Sequence, residues 1–212
     1  MTTQTVDSKY LVKLTPHNSV LVLIDYLTGF MPGLKSIDEP TYKDNVIALV
    51  KLGDIFQLPT IVLGDEGSFR GHFFPEITEY LTRGQRIERH APSAWKAPEF
   101  VAALQQFDRP KIIMAGISLD NCLLQTALDV MRADYEVYVV VDASGTESPL
   151  VETAAMMRLA QAGAVMVNWV SLAAELLDDW ENPEGEPVGA LYQQHSKWGG
   201  NLILRKLKNL GQ

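Results

Sequence analysis

The sequence predicts an α/β fold: a three-layer αβα domain built on an open, mostly parallel six-stranded sheet, followed by a C-terminal arm. Two observations carry this expectation. The strand-like segments are continuous apolar runs rather than alternating ones, which suits strands covered on both faces. Helical patterns stand between most of them, a rhythm that implies right-handed crossovers and helices on both sides of the sheet.

The first run, residues 19–25 (SVLVLID), ends in the carboxylate of Asp25, and a helical pattern over residues 42–56 follows. A second run covers residues 59–63, and a short third strand is expected over residues 85–89, ending at Arg89. The helical pattern of residues 98–107 leads into the fourth run, residues 111–115, after which residues 122–133 read as a helix with Cys122 at its start. Residues 137–142 form the fifth run, residues 150–162 a helix closed by Gly163, and residues 164–167 a short sixth strand. Segments 64–71 and 179–189 are rich in Gly, Pro and acidic residues and read as loops, not domain linkers, so residues 1–212 form one domain.

Composition narrows the function. With 47% hydrophobic and 21% charged residues the chain suits a globular domain able to bury most of its apolar surface, and no apolar stretch approaches the length of about 20 needed to span a bilayer. A net charge of −8, with no Lys/Arg cluster before the short basic stretch Arg205-Lys206-Leu207-Lys208, argues against nucleic acid and anionic membranes as partners. The opening residues MTTQTVD lack the basic and apolar regions of a signal peptide, and with a single cysteine this points to a reducing, cytoplasmic compartment. His17, His72, His90 and His195 share no metal-like spacing, and neither 64–67 nor Gly199-Gly200 has the pattern of a phosphate loop. No metal and no cofactor are expected.

Open parallel sheets bind ligands beyond the carboxyl ends of their strands. Asp25, Arg89 and Cys122 all fall at such ends. Taken singly, Asp25 also reads as a turn cap, Arg89 as a surface ion-pairing residue and Cys122 as a small core residue. Cys122 lies in GISLDNC, residues 116–122, where a strand turns into a helix; unpaired N–H groups and the helix dipole there favour the thiolate, so a depressed thiol pKa is expected.

The segments LIDY (23–26), RHAPSAW (89–95) and GISLDNC with QTA (125–127) resemble the Asp–Lys–Cys hydrolases of the isochorismatase-like family, over nearly the whole chain. Residues 141–146 and 191–202 are most similar to the YcaC-type subgroup, whose members are octameric with an unassigned substrate. The resemblance implies a catalytic set of Asp25, Arg89 and Cys122, with Arg89 at the position where most of the family has lysine. Arginine stays charged and cannot shuttle protons, which leaves Asp25 as the general base. Lys96, the other nearby cation, falls beyond Trp95 and is expected in an exposed turn. The resemblance also implies a cis peptide between Ile117 and Ser118, with the amides of Ser118 and Cys122 as candidate oxyanion donors.

Phe30, Glu66, Trp95, Ile117 and Ser118 are the expected substrate-binding residues; Glu66 reads equally as an exposed loop residue, and Phe30 and Trp95 as core or interface. The implied reaction is metal-free hydrolysis of an amide or carbamoyl C–N bond of a small-molecule substrate through a thioester. Isochorismatase-type vinyl-ether hydrolysis and a non-catalytic protein with a redox-reactive thiol are the alternatives. Residues 187–212 carry Tyr192, Trp198, Leu202, Ile203, Leu204 and Leu207 after the sheet is complete, so this arm is expected to pack on a neighbouring subunit of a homo-oligomer, an octamer by the resemblance.

Overall fold

A computed structural model describes residues 11–197 and Gly199. Its sheet has six strands in the order β3-β2-β1-β4-β5-β6, every neighbouring pair parallel. These are β1 (Ser19–Ile24), β2 (Thr60–Leu63), β3 (Gln85–Ile87), β4 (Lys111–Gly116), β5 (Glu136–Val140) and β6 (Val165–Val167).

The continuous apolar runs are explained by two cores, one on each face of the sheet. Along β1 and β4, Leu21, Leu23, Ile113 and Ala115 feed one core, while Val20, Val22, Ile24, Ile112 and Met114 feed the other. Successive strand residues point to opposite faces, and here both faces are dry. The first core is closed by α1 (Glu39–Ile55), α6 (Trp169–Leu177) and α7 (Gly185–His195), the second by α3 (Pro98–Phe107), α4 (Leu124–Arg132) and α5 (Pro149–Ala162). A single turn of helix, α2 (Thr78–Leu81), precedes β3.

Local sequence explains the helix ends. Asp38 caps α1 by accepting a hydrogen bond from Thr41 N–H at 3.0 Å, with Pro40 in the first turn. Ser148 caps α5 by accepting from Val151 N–H, and Gly163 closes it with a left-handed φ of 106°.

Two expectations need correction. Cys122 does not open an α-helix: residues Leu119–Leu123 form a π-turn, and α4 begins only at Leu124. The first part of the C-terminal arm packs on its own chain. Val188, Leu191 and Tyr192 of α7 are buried in the core shared with α1 and α6, and the Tyr192 hydroxyl donates to Val170 O at 2.8 Å. The apolar side chains expected on a neighbour therefore reduce to Trp198, Leu202, Ile203, Leu204 and Leu207, which lie outside the described residues.

Candidate active site

The strand order reverses direction at β1, between β2 on one side and β4 on the other. Such a switch point opens a crevice at the carboxyl ends of the strands. Asp25 follows β1 and the turn bearing Cys122 follows β4. The approach is close. Gly116 ends β4 with φ 156°, and a Cβ there would lie 2.0 Å from Ile24 O, so only glycine lets the two strand ends meet. Ile117 N–H then donates to Ile24 O at 3.0 Å.

Backbone bonds hold the turn. Gly116 N–H donates to the buried Ser144 hydroxyl at 3.2 Å, and that hydroxyl donates to Val140 O at 2.8 Å. Leu119 N–H donates to Gly145 O at 3.0 Å, and Leu123 N–H to Ser118 O at 3.2 Å. The peptide joining Ile117 to Ser118 is cis.

Asp25, Arg89 and Cys122 come together. The Asp25 carboxylate pairs with Arg89 Nη2, each side chain only 7% exposed, and Arg89 Nη1 donates to Ala91 O at 2.5 Å, which folds the guanidinium back on its own loop. Arg89 Nε is buried without a hydrogen-bond partner among the described residues. The half-buried Cys122 side chain lies close enough to both Asp25 and Arg89 for each to act on its titration.

The electrostatics reverse the expected thiol pKa. Burial pushes Cys122 up from its ordinary value and the Asp25 charge adds to this, while Arg89 opposes it. Two things account for the difference from the sequence expectation: the thiol is enclosed, and it is not in the first turn of an α-helix. Burial likewise raises the Asp25 carboxyl, against the Arg89 charge, the bond from Cys122 and the charge of Arg70. Burial thus favours the protonated thiol over a preformed thiolate, with the Asp25–Arg89 pair beside it.

The substrate-binding candidates separate. Phe30, Leu34, Ile117, Ser118, Thr146 and Glu147 line a slot of about 190 Å³. Glu66 lines a wider groove of about 820 Å³ with Arg89, Phe73, Arg86, His90 and Lys96; its carboxylate accepts from Phe73 N–H at 3.0 Å and faces Arg86 at 3.5 Å. Trp95 lines neither cavity. Its ring meets Phe100 and Tyr135 edge-on at 6.4 Å, so it packs in the helix layer, which favours the core reading over the pocket one. Lys96 is exposed at the rim of the wider groove.

Sequence reasoning passed over Arg70, which pairs with Asp65 at 3.2 Å, lies 4.8 Å from the Phe69 ring centroid and acts electrostatically on Asp25. A basic residue in a Gly-flanked loop offered no periodic signal. Among the described residues no cluster of three His, Cys, Asp or Glu side chains has the arrangement of a metal site, and no helix is long and apolar enough to cross a membrane.

Comparison with known proteins places this geometry. The family model of the isochorismatase domain matches residues 19–171. The probable hydrolase YcaC of Escherichia coli K12 is 32% identical over 203 residues, covering 92% of this chain and 95% of its own. The structure of YcaC from Pseudomonas aeruginosa with hexane-2,5-diol and covalent acrylamide superposes with a TM-score of 0.88 at 31% identity, covering 95% of this chain and 98% of that one. The Escherichia coli YcaC structure, described as an octameric hydrolase of unknown specificity, gives a TM-score of 0.88 at 30% identity, covering 93% and 97%. A six-stranded parallel sheet with Asp25 and Cys122 at its switch point, and a matching family model over most of its length, make this chain a member of the isochorismatase family of hydrolases, similar to the YcaC proteins.

Proposed function

We propose that the protein is a cysteine hydrolase that cleaves a small-molecule amide or carbamoyl C–N bond through a thioester, with Asp25, Arg89 and Cys122 as its catalytic residues. The observation that carries this reading is the buried Asp25–Arg89 pair acting on the Cys122 thiol at the switch point of the sheet. A base and a cation on one sulfur supply what a buried thiol needs to become a nucleophile.

In the first half-reaction Asp25 takes the Sγ proton and the sulfur attacks the carbonyl carbon, forming the C–S bond. Arg89, charged throughout, steadies the thiolate as it forms and keeps Asp25 in place. The oxyanion is received by the backbone N–H groups of Ser118 and Cys122, each such donor being worth about 3–4 kcal/mol in a transition state. The C–N bond breaks as Asp25 returns its proton to the departing nitrogen. Asp25 then deprotonates a water whose oxygen attacks the thioester carbon; the C–O bond forms, the C–S bond breaks to release the acid, and Asp25 returns the proton to the sulfur. No step needs a metal.

Phe30, Ile117 and Ser118 form the wall nearest the nucleophile's turn and Glu66 the far groove. The similar Pseudomonas protein carries a covalent acrylamide, a reagent that captures nucleophiles at its vinyl carbon, which supports a reactive nucleophile here and leaves the substrate class to the test below. The octameric Escherichia coli relative supports a homo-octamer. A reducing cytoplasm suits the lone thiol.

Ammonia release from a panel of small amides, run beside Cys122→Ala, tests the reading. Release that depends on Cys122 is expected. Release that survives in Cys122→Ala would remove the nucleophile, and no release from any amide or carbamoyl compound would favour a non-catalytic, redox-reactive thiol.

A further inference from the structure

Thr126 and Asp129 stand three residues apart on one face of α4, and Cys122 lies in the π-turn that leads into it. That face meets the loop of residues 89–95, which begins with Arg89. Two ties cross the contact. The fully buried Thr126 hydroxyl donates to Cys122 O at 2.7 Å and accepts from Ala94 N–H at 3.0 Å. One turn on, the Ser93 hydroxyl donates to Asp129 Oδ2 at 2.7 Å, while its oxygen also accepts from Trp95 N–H at 3.3 Å.

A threonine that only bonds back to its own helix would need no partner outside it. Thr126 has one, and that partner belongs to the loop whose other end is braced by Arg89 through Ala91 O. We propose that Thr126 is a positioning residue: its single hydroxyl couples the backbone of the nucleophile to the Arg89 loop and so sets the distance between the guanidinium and the Cys122 sulfur. The Ser93–Asp129 bond is the second, more exposed tie of the same clamp.

The proposal rests on Cys122 being the nucleophile, but it can be read on the thiol itself. The Arg89 charge is what lowers the Cys122 pKa against burial and Asp25. A loop that drifts from the helix weakens that interaction, and catalytic groups misplaced by about 1 Å can cost about a hundredfold in rate.

The test is the pH dependence of iodoacetamide alkylation of Cys122 in the intact oligomer, with kcat and KM for a cleaved amide where one is known. Thr126→Val, which keeps shape and removes both bonds, should move the alkylation inflection upward in the direction of Arg89→Ala and lower kcat by about tenfold or more with little change in KM. Thr126→Ser keeps the hydroxyl and should restore most of both. An unchanged inflection in a folded Thr126→Val, or a Thr126→Ser variant displaced as far as Thr126→Val, would overturn the proposal. Should Thr126→Val not fold, Ser93→Ala and Asp129→Ala loosen the outer tie alone: a smaller upward shift in either supports the clamp, and none in either refutes it. Because alkylation needs no turnover, failure of the hydrolase reading would appear as absent ammonia release with the inflection shifts intact.

Discussion

Arg89 and Asp25 form an ion pair whose two side chains are each 7% exposed, so neither charge has water to fall back on. Removing one member of a buried pair typically costs about 3–5 kcal/mol, because the other is left charged and unpaired. Arg89→Ala should therefore lower both stability and turnover, with Arg89→Lys milder because it keeps the charge and loses only the fork. The stability loss has a definite pH sign. With Arg89 absent the raised Asp25 pKa rises further, so the loss is largest where Asp25 would be ionised and shrinks as pH falls through that pKa. Denaturant melts of wild type and variant over a pH series measure it.

Asp25→Asn should abolish turnover while making Cys122 more reactive toward iodoacetamide at neutral pH. The amide cannot accept the Sγ proton, yet its neutrality removes a charge that raises the thiol pKa. Wild type should titrate above the free-thiol value of about 8.5, Asp25→Asn lower than wild type, and Arg89→Ala higher. An inflection that rises in Asp25→Asn would refute this assignment of charges.

Asp142 makes a separate pH prediction. Burial raises its carboxyl from the ordinary 3.8 to about 6, although Trp169 N–H donates to it at 3.0 Å. A raised carboxyl pKa means that the fold favours the protonated form: this stability is complete below the unfolded value and is lost as pH rises through about 6. Asp142→Asn retains the oxygen that accepts from Trp169 and removes the charge. Its Tm should exceed that of wild type at about pH 8, by the equivalent of at most about 3 kcal/mol, and match it at about pH 4. Thermal melts at the two pH values decide the matter.

The burial of Val188, Leu191 and Tyr192 in their own chain changes what truncation does. Deletion from Pro187 onward should expose the core and unfold the protomer, whereas deletion of residues 198–212 should leave it folded and lower the oligomeric state. Light scattering and circular dichroism on both truncations separate the two effects.

Much of the fold was legible because burial on both faces leaves a simple trace. β1 and β4 are apolar at every position from Val20 to Ile24 and from Ile112 to Ala115, and the groups that follow them, Asp25 and Cys122, are ionisable. Gly116 was legible in the motif, and the structure shows why no Cβ fits there. What escaped the sequence depends on long-range packing. The thiol's raised pKa comes from enclosure by three separate strand ends, which no local pattern encodes. The π-turn of Leu119–Leu123 depends on the bond from Leu123 to Ser118, which competes with an ordinary helical one. Tyr192 looked like an interface residue because only the tertiary fold shows Trp169 and Trp180 packed edge-on against it. Thr126 was visible at helical spacing from Cys122, but its second partner, Ala94, is 32 residues away in sequence.

In the proposed mechanism Cys122 passes its proton to Asp25 and carries the acyl group of a small amide. Acid-quenched turnover followed by peptide mass spectrometry tests it most directly. An acyl adduct on the Cys122 peptide is expected during steady state, labile to hydroxylamine, absent in Cys122→Ala and failing to form in Asp25→Asn. Ammonia released at the wild-type rate by Cys122→Ala, with no adduct on Cys122 at any time, would contradict it.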